Sequence, residues 1–69
     1  MSNIVIRIDR VIKNNFGDKE LDLAEKIHLC SLLEEEFDIN IDYFANKLDT
    51  KEDFYKMVKK LIGEKDANY

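Results

Sequence analysis

Residues 33–41 read Leu33-Glu34-Glu35-Glu36-Phe37-Asp38-Ile39-Asn40-Ile41, and the pattern changes inside that stretch. Up to Phe37 the apolar residues belong to a helical set: Leu21, Leu23, Ala24, Ile27, Leu29, Cys30, Leu32, Leu33 and Phe37. From Asp38 to Asp42 polar and apolar residues alternate. A helix therefore gives way to an extended connector, with Ile39 and Ile41 pinned to a core. The three glutamates fall at the helix C-terminal end, where the dipole disfavours carboxylates. Residues that cost stability at such a place point to a role at the surface.

Working back from Phe37, the helix is predicted over about Lys19 to Phe37. Asp18 is its N-cap, and Glu20 and Asp22 suit its positive end. Its apolar arc is wider than one stripe, which predicts packing on more than one side. Working forward, a short helical turn is expected at Tyr43 to Asn46. Thr50-Lys51-Glu52-Asp53 then matches a capping box, with Thr50 as N-cap. Phe54, Met57, Val58, Leu61 and Ile62 follow at i, i+3, i+4, i+7 and i+8, with Lys56, Lys59 and Lys60 on the wet side. Gly63 is read as the stop, and residues 64–69 as a frayed tail.

At the other end, Ile4, Ile8, Val11 and Ile12 share one helical face, so a helix is predicted over about Ile4 to Asn15. Ser2 or Asn3 caps it, and Asn14, Asn15 and Gly17 stop it. Ile4, Ile6 and Ile8 also alternate like a strand. A lone strand would have no partner in this sequence, so helix is preferred. The expected fold is all-α, a bundle of three main helices and one short one, forming a single domain over residues 1–69.

The chain has 69 residues, 45% hydrophobic and 38% charged, which fits a compact fold. Such a length buries only about 60% of the unfolded surface, so the core is small. Proline is absent and glycine occurs only at Gly17 and Gly63, which excludes turn-rich all-β architectures. One cysteine and one histidine exclude a disulfide framework and a self-contained zinc site. The longest apolar run is three residues, as at Ile4–Ile6, so neither a membrane span nor a signal peptide is expected. The expected compartment is the cytosol.

Net charge is −4, unevenly spread. Residues 1–16 carry +2, residues 17–49 carry three lysines against ten acids, a net of −7, and residues 50–69 carry +1. The acidic block repels phosphate backbones, which argues against a nucleic-acid partner, and attracts a basic surface. The plainer reading of such a block is a solvated helix face.

Little chemistry is available. Ser2, Ser31 and Thr50 have no base beside them, glycine-rich phosphate loops are absent, and no nucleophile–base set assembles, so an enzyme is not expected. His28 has polar neighbours in helical register and is read as a surface residue. Cys30 is read as a small buried hydrophobe, and Tyr43 and Phe44 as core or half-core aromatics. Carboxylates on an exposed helix give no reason for shifted pKa values.

The run Leu33 to Ile41, followed by Asn46-Lys47-Leu48-Asp49-Thr50 before the last helix, resembles the acyl carrier protein family over roughly Asp22 to Ile62. That family carries a similar leucine, three glutamates and phenylalanine at the end of its second helix, then an extended segment and a short third helix. The resemblance implies an up-down helical bundle. It also implies a second helix that docks to basic patches on partner enzymes, here through Asp22, Glu25, His28, Ser31, Glu34 and Glu35. His28 falls where the family usually has an acid.

Family members attach a phosphopantetheine arm to the serine of an Asp-Ser-Leu motif at the start of that helix. The matching residues here are Asp22-Leu23-Ala24. Leu23 occupies the attachment position and has no hydroxyl with which to form the phosphodiester. The loop before the helix, about Phe16 to Leu21, is also shorter than the family's. The function expected is therefore a non-catalytic docking module without a cofactor. Its expected partner is a protein with a basic surface, such as an acyl-transfer or other biosynthetic enzyme. The alternatives are a genuine carrier in fatty acid or polyketide-type biosynthesis with its attachment site elsewhere, a small acidic inhibitor or nucleic-acid decoy, and a self-associating helical bundle.

Overall fold

The structure, a computed structural model, describes residues 3–67, with side chains through residue 65. It is a small helical bundle of α1 (Ile4–Phe16), α2 (Leu23–Phe37), α3 (Tyr43–Asn46) and α4 (Lys51–Ala67). The described residues form no strand, so the helical reading of Ile4, Ile6 and Ile8 holds.

Most helix ends are set by local chemistry. Asn3 stands at the N-cap of α1 without a side-chain cap bond, and Ser2 lies outside the described residues. Gly17 closes α1 at φ 80°, a backbone angle that suits glycine, and its N–H donates to the Lys13 carbonyl at 3.1 Å. Asp42 caps α3, accepting from the Ala45 N–H at 3.1 Å. At α4 the expected box is present. The Asp53 carboxylate accepts from the N–H groups of Thr50 and Asp49 at 2.9 and 3.0 Å, and the Asp53 N–H donates to the Thr50 hydroxyl at 3.3 Å.

Two predicted boundaries are corrected. α2 starts at Leu23 rather than near Lys19, and its N-cap is Asp22 rather than Asp18. Asp22 has a glutamate three residues on, and the pair forms a full reciprocal box: Glu25 N–H to Asp22 at 2.8 Å, Asp22 N–H to Glu25 at 3.0 Å. Asp18 has Leu21 at that spacing and can form no such box. α4 does not end at Gly63 but continues to Ala67, so residues 64–67 are helical rather than frayed. Gly63 needs no positive φ, and Lys65 anchors the extra turn by donating to the Asp38 carbonyl at 3.1 Å and carboxylate at 2.9 Å. Residues 68 and 69 lie outside the described residues.

Cross-helix contacts fix the directions. Arg7 near the start of α1 meets Glu36 and Phe37 at the end of α2, while Phe16 at the end of α1 meets His28 in mid-α2, so these helices are antiparallel. Lys26 near the start of α2 pairs with Asp49, just before α4, at 2.8 Å, and Asp38 just past α2 pairs with Lys65 near the end of α4. α2 and α4 therefore run the same way, and residues 38–50 return along the bundle between them.

The core is built from Ile8 and Ile12 of α1, Leu29, Cys30, Leu33 and Phe37 of α2, Ile39 and Leu48 of the return segment, and Phe54, Met57 and Val58 of α4. Burying each large apolar side chain contributes about 1.5–3 kcal/mol. Ile39 is buried and Ile41 half-buried, so the connector is pinned as expected. Tyr55 of α4 donates its hydroxyl to Asp9 of α1, and burial with that contact pushes its pKa up to about 12.

Candidate docking face on the second helix

α2 is amphipathic in an unusual sense: its outward side is itself partly apolar. Leu29, Cys30, Leu33 and Phe37 turn inward. Leu23 is 57% exposed and Ile27 38% exposed, one helical turn apart, and Ala24 is exposed beside them. Those positions were expected to pack on a second neighbour; among the described residues Leu23 and Ala24 stay exposed and Ile27 is only partly covered. Phe44 is also corrected. It is 73% exposed rather than half-core, while Tyr43 is half-buried and packs edge-on against it at 5.4 Å.

The six candidate docking residues separate by what each already does. Asp22 and Glu25 form the N-terminal box of α2, and Glu25 also pairs with Lys19. That ammonium and the Asp22 N–H hold the Glu25 carboxyl below the usual carboxylate range, and Glu25 in turn raises Lys19. His28 is exposed, as expected, with its ring edge-on to Phe16 at 5.5 Å. Ser31 and Glu35 are exposed. Glu34 is half-buried, and its carboxylate accepts the Ile41 N–H at 2.9 Å.

Glu34 is thus a structural residue as well as a surface acid. Past Phe37 the chain turns through Asp38 in the left-handed conformation at φ 55°, and the Ile39 N–H closes back on the Glu34 carbonyl at 3.2 Å. The Glu34 side chain then takes the Ile41 N–H, two residues further on. Glu36, outside the candidate set, receives Arg7 on both its carboxylate (2.8 and 2.9 Å) and its carbonyl (2.9 Å). The same guanidinium lies 4.3 Å from the Phe37 ring centroid. Sequence reasoning missed these tethers because each partner lies in another element.

Some carboxylates do shift, contrary to the expectation from exposure alone. Lys65 holds Asp38 below its ordinary value, and the Thr50 and Asp49 N–H groups do the same for Asp53. The Cys30 thiol, buried and near Glu34, is pushed up to about 11, which keeps it protonated and unreactive. Cys30 is the small buried hydrophobe that its place in the sequence suggested.

Beside the face lies a cleft of ≈410 Å³ floored by Ile12, Leu29 and Phe54 and barred by the Lys26–Asp49 pair. Lys26 is raised by that pairing. Among the described residues, no cluster of three His, Cys, Asp or Glu side chains could hold a metal ion. No helix among them is long and apolar enough to cross a membrane.

The outward side of α2 thus offers accessible hydrocarbon at its N-terminal half and free polar and acidic groups, Ser31 and Glu35, at its C-terminal half. No family model, curated protein or solved structure matches the chain.

Proposed function

We propose that the protein is a carrier-like docking module that carries nothing: it occupies basic, apolar-centred sites on partner proteins through α2 and takes part in no group transfer. The observation that carries this reading is Leu23. It is the first residue of a doubly capped helix and is 57% exposed. The resemblance to acyl carrier proteins assigns the attachment serine to this position. The place is accessible and well formed, and its side chain is a hydrocarbon. The acidic residues around it favour a cationic partner surface and speed encounter with it.

A phosphopantetheinyl transferase with coenzyme A serves as the test partner, because it must grip a carrier's second helix to modify it. Intact-mass measurement is expected to show no gain on the natural chain and a phosphopantetheine gain on Leu23→Ser. The unmodified natural chain should also compete with Leu23→Ser for the enzyme, less so with Glu35→Lys and less so at high salt. A mass gain on the natural chain overturns the non-carrier reading. Failure of Leu23→Ser to be modified, together with no competition, overturns the carrier-like docking face.

A further inference from the structure

The outward face of α1 is the chemical complement of the outward face of α2. Ile6 is 56% exposed, with Asn3, Arg10, Lys13 and Asn14 exposed around it. Among the described residues, neither Arg10 nor Lys13 takes part in an ion pair. Asp9, the acid nearest in sequence, accepts from Tyr55. A shallow groove of ≈590 Å³ runs beside this stripe, bounded by Ile6, Arg10 and Asn14 on one side and by Glu36 on the other.

The α2–α3 side carries the opposite pattern. Leu23 and Phe44 are largely exposed and Ile27 partly so. Glu35 is an exposed acid beside them, while Glu34, Asp38 and Asp42 keep their charge with the Ile41 N–H, Lys65 and the Ala45 N–H as partners. The segment bearing Phe44 is held to α2 at both ends, by the Ile41–Glu34 bond and the Asp49–Lys26 pair.

From this complementarity we infer that the α2–α3 face is covered, when no other partner is present, by the α1 face of a second copy of the chain. The contact joins unlike faces, so association runs head to tail, as a closed ring or an open chain according to the rotation between copies. Its two parts are apolar contact of Leu23, Ile27 and Phe44 with Ile6 and its groove, and attraction of Arg10 and Lys13 to the α2–α3 acids. Exposed charges give most of the salt dependence and little of the affinity, so the contact is weak and reversible. The inference rests on the α2 face being a docking surface. It also makes self-association a competitor of any other partner for that face.

Sedimentation velocity of the full chain tests this between about 10 µM and about 1 mM, a range that brackets weak association. At about 0.1 M salt the weight-average mass should rise with concentration and pass the dimer. At about 1 M salt, where the Debye length is about 3 Å, the charge contribution is screened and the mass should rise less steeply with concentration, the apolar contact remaining. Ile6→Asp and Leu23→Asp each alter an exposed side chain, and far-UV circular dichroism confirms that they fold. Each alone should stay monomeric, and their mixture should form a one-to-one complex that goes no further, because each retains one intact face.

A natural chain that stays monomeric throughout overturns the inference. So does an Ile6→Asp chain that still self-associates, or a mixture that forms no complex. Transferase competition separates the two readings. If competition persists while self-association is absent, only the present inference fails. If Leu23→Asp loses neither, the docking face itself is wrong.

Discussion

Glu34 and Glu35 are neighbours of identical chemistry, and the structure gives them different work. Replacing Glu34 by alanine removes the acceptor of the Ile41 N–H. Hydrogen bonds to charged groups contribute about 1.5–3 kcal/mol, and partial exposure lets water replace some of that, so the expected loss is about 1 kcal/mol. Unfolding entropy of about 2.1 cal/mol/K per residue over a chain of this size turns that loss into a fall in Tm of about 7 °C. Glu35→Ala touches no partner and removes a carboxylate from the unfavourable end of the helix, so its Tm should stay level or rise slightly. Glu34→Gln retains an oxygen acceptor and should recover most of the loss. Thermal melts followed by circular dichroism at neutral pH decide the matter. Equal shifts for the two alanine variants, or a glutamine variant as unstable as Glu34→Ala, would refute the structural assignment of Glu34.

Gly63→Ala should stabilise the protein by about 0.5–1 kcal/mol in urea titration, since glycine costs that much in a helix interior and a Cβ there meets no atom within 4 Å. Arg7→Ala should cost about 1–2 kcal/mol through loss of both the Glu36 contacts and the Phe37 ring contact, and Arg7→Lys should recover less than half, because an ammonium has no planar fork. Acid should weaken the fold. Glu25, Asp38 and Asp53 have lowered carboxyl pKa values, so as pH falls the unfolded chain takes up protons before the folded one. Stability should be full above about pH 5 and decline through about pH 4 and below, and the urea midpoint of Asp53→Asn should depend less on pH across that window.

The helices were legible where both partners of an interaction lie close in sequence. The Thr50–Asp53 box and the Ile8–Ile12 face are of this kind, and so is the connector with Ile39 inward. The start of α2 was also written in the chain, since Asp22 has Glu25 at box spacing and Asp18 does not. Gly63 misled because it sits inside α4 without a positive φ, and the following turn stays helical with Lys65 reaching Asp38 past the end of α2. Leu23 and Ile27 read as part of a wide packing arc, and Phe44 as core or half-core, because apolar type alone does not tell which side of a short bundle lacks a neighbour. The tethers of Glu34 and Glu36 depend on where the connector and α1 come to rest, and no spacing within α2 encodes that.

The bond from Lys65 to the corner at Asp38 gives the final turn of α4 a leverage that its position near the chain end would not suggest. Losing that contact would free the corner at Asp38, next to the buried Ile39. A cargo fused close behind that lysine would report on the tip of α2, some 27 residues away in sequence.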